Sequence, residues 1–189
     1  MKYWYDTEFI EDGKTIDLIS IGIVAEDGRE LYLQNRDAKF KDASDWVYRN
    51  VYPFLTHFHM AGHPDCIAER QPGDFRGNGR CFKQDCAWRF PTAIAEAIKE
   101  FCNPEKYGKP EFWGYYSAYD HVALCQIFGT MMELPKGWPM YTRDIKQLCD
   151  SLGNPKLPEQ GQGEQHTLAD ACWNKQAYEF LIQLTNQTN

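Results

Sequence analysis

The chain has 189 residues, of which 43% are hydrophobic and 25% charged, with a formal net charge of -7. That length suits one domain around one sizeable core, and that balance excludes a disordered chain. The acidity excludes a long basic track on duplex DNA, and no apolar run reaches the length of a membrane span, so a cytoplasmic protein without a membrane partner is expected. A short single strand held by metals, amides and aromatic faces stays compatible, since aromatics make up 15% of the chain. The seven cysteines are odd in number, and several fall in apolar helical patterns, which predicts reduced thiols inside a cell.

In chain order, Lys2 to Ile10 opens as a strand of aromatic and β-branched residues broken only by Asp6 and Glu8. Alternation puts those two carboxylates side by side on one face. A hard divalent cation would satisfy them, and an edge strand with a solvated acidic face is the alternative. A turn at Gly13 leads to Thr15–Ala25, apolar on both faces as in a central strand, and Asp27-Gly28 turns into a third strand at Glu30–Gln34. The expected opening is therefore an antiparallel three-stranded meander.

A helix follows at Asp45–Val51, with Ser44 as N-cap and Trp46, Val47 and Val51 facing inward. Residues 56–90 lack periodicity and read as an irregular insertion. They hold His57, His59, His63, Cys66, Cys81 and Cys86, types that suit zinc but in no knuckle spacing, so a loop without metal is the preferred reading.

Pro91 starts a helix with Ile94, Ile98 and Phe101 inward. A fourth strand is predicted at Pro110–Tyr116, a helix at Tyr119–Phe128 with Val122, Cys125 and Phe128 on its inner side, and a fifth strand at Trp138–Thr142. Asp144 caps the next helix, to Leu152, while Asp17 and Asp150 read as ordinary surface or turn carboxylates. Residues 153–165, rich in Gly, Pro and Gln, read as a mobile loop. A closing helix runs from about Thr167 to Leu184, with Leu168, Ala171, Cys172, Tyr178, Leu181 and Ile182 as its core side. Together these elements predict one α/β domain over residues 1–189, built on a sheet of mixed direction and flanked by helices.

Acidic residues recur at two further places. Asp120 lies where a strand passes into a helix, at the rim of the sheet where sites form. Asp170 lies in the first turn of the closing helix. Each has a structural reading alone, as a carboxylate favoured by a helix dipole and as part of a capping box with Thr167.

Taken in order, Asp6-Thr7-Glu8, Tyr119-Asp120 with Leu124, and His166 with Asp170 resemble the three sequence blocks of the DEDD family of 3′-to-5′ exonucleases. Within that family the chain is similar to the polyadenylate-specific 3′-exoribonucleases. The likeness runs through Tyr3 to Gly13, Ile16 to Gly22, Ala25 to Glu30, and Ala118 to Gln126. The resemblance implies a ribonuclease H-like fold and four metal ligands, Asp6, Glu8, Asp120 and Asp170. It also implies two Mg2+ ions, replaceable by Mn2+, an adenylate-rich single-stranded RNA 3′ end as substrate, nucleoside 5′-monophosphates as product, and a homodimer.

The chemistry agrees with that implication. Two ions about 3.5–4 Å apart can activate a water, steady the phosphorus and neutralise the leaving oxygen. A histidine with a pKa near about 6.5 can take the proton of the water. In the family's His branch the histidine stands five residues before the last Asp; here Gln165 holds that place and His166 comes one later. His166 is the expected base, and His121, beside Asp120, is expected to orient or pack. Thr7, Glu8 and Phe9 are expected at the sugar of the terminal nucleotide, with Phe9, Tyr115 and Tyr116 as stacking faces. The alternatives are a single-stranded DNA or short-oligonucleotide exonuclease, and an RNA-binding module without activity.

Overall fold

The computed structural model describes residues 1–55, 87–161 and 165–187. Residues 56–86 of the irregular insertion expected at 56–90, and the zinc reading with them, lie outside the described residues. β1 (Lys2–Glu11), β2 (Ile16–Ala25) and β3 (Glu30–Asn35) form the antiparallel meander expected from the sequence. Its two turns use Gly13 and Gly28 at φ of 80° and 88°, where a Cβ would be strained.

The chain continues through α1 (Asp45–Asn50), β4 (Trp88–Arg89), α2 (Pro91–Phe101), α3 (Pro104–Tyr107) and β5 (Glu111–Gly114). It ends with α4 (Ala118–Phe128), β6 (Arg143–Asp144), α5 (Ile145–Ser151) and α6 (Thr167–Gln187). The sheet order is β4-β3-β2-β1-β5-β6, with β5 parallel to β1, β6 parallel to β5 and β4 parallel to β3. A mixed sheet with helices on both faces is the ribonuclease H-like arrangement.

β1 sits inside the sheet and divides two cores. Tyr3 and Tyr5 face α2 and α4, packing with Ile21, Ile23, Ile94, Ile98, Phe112 and Leu124. Trp4 faces the other way, with Trp113, Ile145 and Cys149, and with Tyr178 and Leu181 of α6. Burying each such side chain contributes about 1.5–3 kcal/mol, so β1 is fixed from both sides.

Two local features carry the acidic end of β1. The register runs from Glu8 opposite Ser20 to Phe9 opposite Leu18, leaving Ile19 as an extra residue. This bulge bends the ladder just past Glu8 and turns Ile19 into a small core with Ile10, Val47 and Val51, which seats α1 beside the strand end. On the neighbouring strand, Gly22 pairs with Asp6. A Cβ on Gly22 would fall on the Thr167 carbonyl and the Leu168 amide, so the start of α6 lies directly on the sheet there. Only glycine permits that approach.

Several expectations are corrected. Residues 138–142 form no strand: Pro139 lacks an N–H to pair, and Gly137 turns the chain at φ 91°. The strand pairing falls instead on Arg143 and Asp144, while buried Trp138 packs on Phe112 and Phe128. Trp46 faces outward, 56% exposed, because the small core beneath α1 is filled by Val47 and Val51. Val122 also faces outward, and α4 buries Ala123, Leu124 and Cys125 instead.

On α6, Ala171, Tyr178 and Leu181 are buried as expected, whereas Leu168, Cys172 and Ile182 are half-buried. Asn174 takes a core position and donates its Nδ2 to the Tyr5 carbonyl at 3.0 Å. The stretch expected to be mobile is fastened over residues 154–160. Trp173 Nε1 donates to the Pro158 carbonyl at 3.1 Å, and Leu157 packs into the α6 core.

Candidate metal centre

Strand alternation sends Asp6 and Glu8 to the face covered by α6, and the contact at Gly22 brings Asp170 in the first turn of α6 down over them. Asp6, Glu8 and Asp170 each present a carboxylate oxygen within 4.8 Å of the others. Asp120 reaches the same region from α4. Its Oδ1 accepts the Thr7 amide at 2.9 Å and the Thr7 hydroxyl at 2.6 Å, which fixes it against β1. Three of the four sequence-predicted acids therefore form one cluster, and the fourth stands beside it, buried, lining the same cleft.

The electrostatics are those of crowded, buried carboxylates. Burial, then Asp120, Asp170 and Glu8, push the Asp6 carboxyl well above the usual range. Burial, then Asp170 and Asp120, push Glu8 to about 8. Burial raises Asp120 to about 6 against the two Thr7 hydrogen bonds, which lower it. Among the described residues, no cationic side chain acts on Asp6 or Glu8. Oxygen-only donors packed this closely fit a hard divalent metal ion.

The cleft over the acids has a volume of about 690 Å³. Asp6, Thr7, Glu8, Phe9, Tyr115, Tyr116, Asp120 and Asp170 all line it, so every sequence-predicted metal and substrate residue meets there. Phe9 packs edge-on against Tyr119, and Tyr115 lies edge-on between Tyr116 and Trp173. Tyr116 is 64% exposed and takes a positive φ of 55°, rare for a bulky residue and set at the rim of the site.

His166 is placed differently. Its ring stacks on Tyr32 at 4.5 Å and 25°, its carbonyl accepts the Asp170 amide at 3.0 Å, and it is absent from the cleft lining. Gln165, with a φ of 68°, lines the cleft in its stead. His121 is half-buried along α4, its Nε2 at 3.7 Å from Cys125 Sγ, and burial lowers its pKa. Asp144 serves as the N-cap of α5, accepting from the Lys146 and Gln147 amides, and its other oxygen accepts the Ser117 amide at 3.0 Å. Asp17 accepts the Lys39 amide, and Asp150 pairs with Lys146.

The sequence did not reveal Gln160, Trp46 or Tyr119 as cleft residues. Tyr119 left a faint signal, as an aromatic off the expected inner side of its helix, whereas Trp46 was read as facing inward. Gln160 left none.

No protein-family model matches the chain. Two curated proteins of Mycobacterium tuberculosis do, 3'-5' exoribonuclease Rv2179c and 3'-5' exoribonuclease MT2234.1. Each is 37% identical over 171 residues, covering 90% of this chain and 87% of the relative. At that identity along that span, over a fold and an acidic cluster of the corresponding kind, the chain belongs to the DEDD-like 3′-to-5′ exoribonuclease family.

Proposed function

We propose that the protein is a two-metal-dependent 3′-to-5′ exoribonuclease that shortens single-stranded, adenylate-rich RNA and releases nucleoside 5′-monophosphates. The observation that carries this is the convergence of Asp6, Glu8 and Asp170, with Asp120 beside them, at the floor of an aromatic-lined cleft. The four carboxylates would hold two Mg2+ ions, or Mn2+ in their place. Those ions, when bound, supply Lewis-acid stabilisation of the phosphate and of the leaving 3′ oxygen. Thr7 keeps Asp120 in place through both of its donors. Thr7, Glu8 and Phe9 meet the sugar of the terminal nucleotide, where a 2′-OH distinguishes RNA, and Tyr115 and Tyr116 stack on its bases. His166 takes the proton of the attacking water, which requires its ring to leave the Tyr32 stack. The preference for adenylate and a homodimeric state rest on the resemblance to polyadenylate-specific 3′-exoribonuclease AS.

The position of His166 favours a second reading, an RNA-binding module without activity. A 5′-labelled RNA ending in several adenosines, incubated with Mg2+, separates the two. A ladder shortening by single nucleotides, abolished by EDTA and by Asp6→Ala, supports the exonuclease. Intact RNA under conditions of measurable binding supports the module. A matched deoxyribose strand tests the choice of sugar, and cleavage of DNA at an equal rate would make the protein a single-stranded DNA or general oligonucleotide exonuclease.

A further inference from the structure

Residues 153–161 link α5 to the approach of α6, and their composition gives no reason to expect order. They are nonetheless tied to α6. Trp173 holds the Pro158 carbonyl, and two residues on the Gln160 side chain donates from Nε2 to Asp170 Oδ1. Trp173 and Asp170 stand three apart on the helix and so share one face, along which this strap lies. Leu157, packed into the core under the same helix, sets the height of the strap.

We propose that Gln160 is a positioning residue for the metal centre, holding the Asp170 carboxylate in its ligating orientation. The inference rests on the metal-centre reading above. Asp170 faces Asp6 and Glu8, two groups of its own sign, and the Gln160 donor opposes its turning away from them. An amide N–H takes one of the several acceptor sites of a carboxylate. Being neutral, the amide steadies the anion without supplying the positive charge that an ion would bring; a lysine in its place would compete with that ion. Hydrogen-bonded partners of ligating carboxylates typically influence metal affinity by about 10–100-fold. Gln160 also lines the cleft, so the strap forms part of its wall.

The test measures Mn2+ binding to the full-length protein without RNA, by electron paramagnetic resonance and calorimetry. It compares wild type, Gln160→Met and Trp173→Phe. Methionine keeps the volume and loses the donor; phenylalanine keeps an aromatic ring and frees the strap at Pro158. Gln160→Met is expected to weaken Mn2+ binding about tenfold, and Trp173→Phe to weaken it by a smaller factor, with unfolding midpoints in EDTA unchanged. In turnover, the metal concentration for half-maximal kcat should rise by the same factor. Equal affinity in wild type and Gln160→Met overturns the proposal, as does tighter binding, which would mean that Gln160 obstructs the site. If wild type itself binds no Mn2+, the metal-centre reading falls first, and the failing sample identifies it.

Discussion

Replacing Glu8 by glutamine should strengthen the metal-free protein at neutral pH while removing its activity. The Glu8 carboxyl is raised from 4.5 to about 8, so folding takes up a proton in that interval. A carboxyl whose pKa is higher in the folded state favours folding most at low pH. That advantage is lost as pH climbs from the unfolded value towards the folded one. At pH 7.5 the three units above 4.5 correspond to about 4 kcal/mol of destabilisation, at about 1.36 kcal/mol per unit. Partial solvent contact of Glu8 reduces this to about 2–3 kcal/mol.

Urea titrations in EDTA at pH 5 and pH 8 would therefore show wild type weakening with rising pH. Glu8→Gln should weaken less and surpass wild type at pH 8 by roughly that amount. Adding Mn2+ should restore wild type and do less for the variant, since a ligand that binds only the folded state stabilises it by mass action. A wild type equally stable at both pH values, or a glutamine variant weaker at pH 8, would refute the picture of an uncompensated carboxylate cluster.

Thr7→Val keeps the shape and removes the 2.6 Å hydroxyl bond to Asp120, so a loss of about 1.5–3 kcal/mol is expected in urea unfolding at pH 8. In the same variant the acid limb of the pH–rate profile should move to higher pH, because Asp120 loses a group that lowers its pKa. Gly22→Ala should destabilise the fold by about 1–3 kcal/mol or more and abolish Mn2+ binding, as its methyl group displaces the start of α6; calorimetry reads both. His166→Ala should lower kcat by about 10²–10⁴-fold. An unchanged kcat would assign the proton to another acceptor.

The meander and the acid pair were legible because each depends on local rules: alternation, turn glycines and apolar runs. Asp120 and Asp170 were legible through their order and spacing, not their individual surroundings. What escaped has a common physical origin. Gln160 and Asn174 are polar residues whose partners, Asp170 and the Tyr5 carbonyl, are supplied by tertiary packing, and nothing in their own neighbourhood signals it. The predicted strand at 138–142 failed because Trp138 closes a turn onto the Pro135 carbonyl and Pro139 has no N–H to pair. Trp46 was assigned inward by its apolar character, whereas the six-residue α1 has room to bury only one side.

The pairing of β1 with β5 has a consequence for how the chain acquires its fold. Lys2 pairs with Glu111 and Trp4 with Trp113, and α6, at the far end of the sequence, covers the other side of the same strand. Contacts so distant along the sequence impose a large loop-closure cost before they stabilise anything, so folding should be slow for a chain of this size. The meander can collapse early, but β1 then exposes an unpaired edge until β5 arrives. The carboxylates of β1 and α6 meet only once α6 has docked on the sheet. A fragment or partly folded chain therefore contains all the pieces of the meander and none of the assembled acidic cluster.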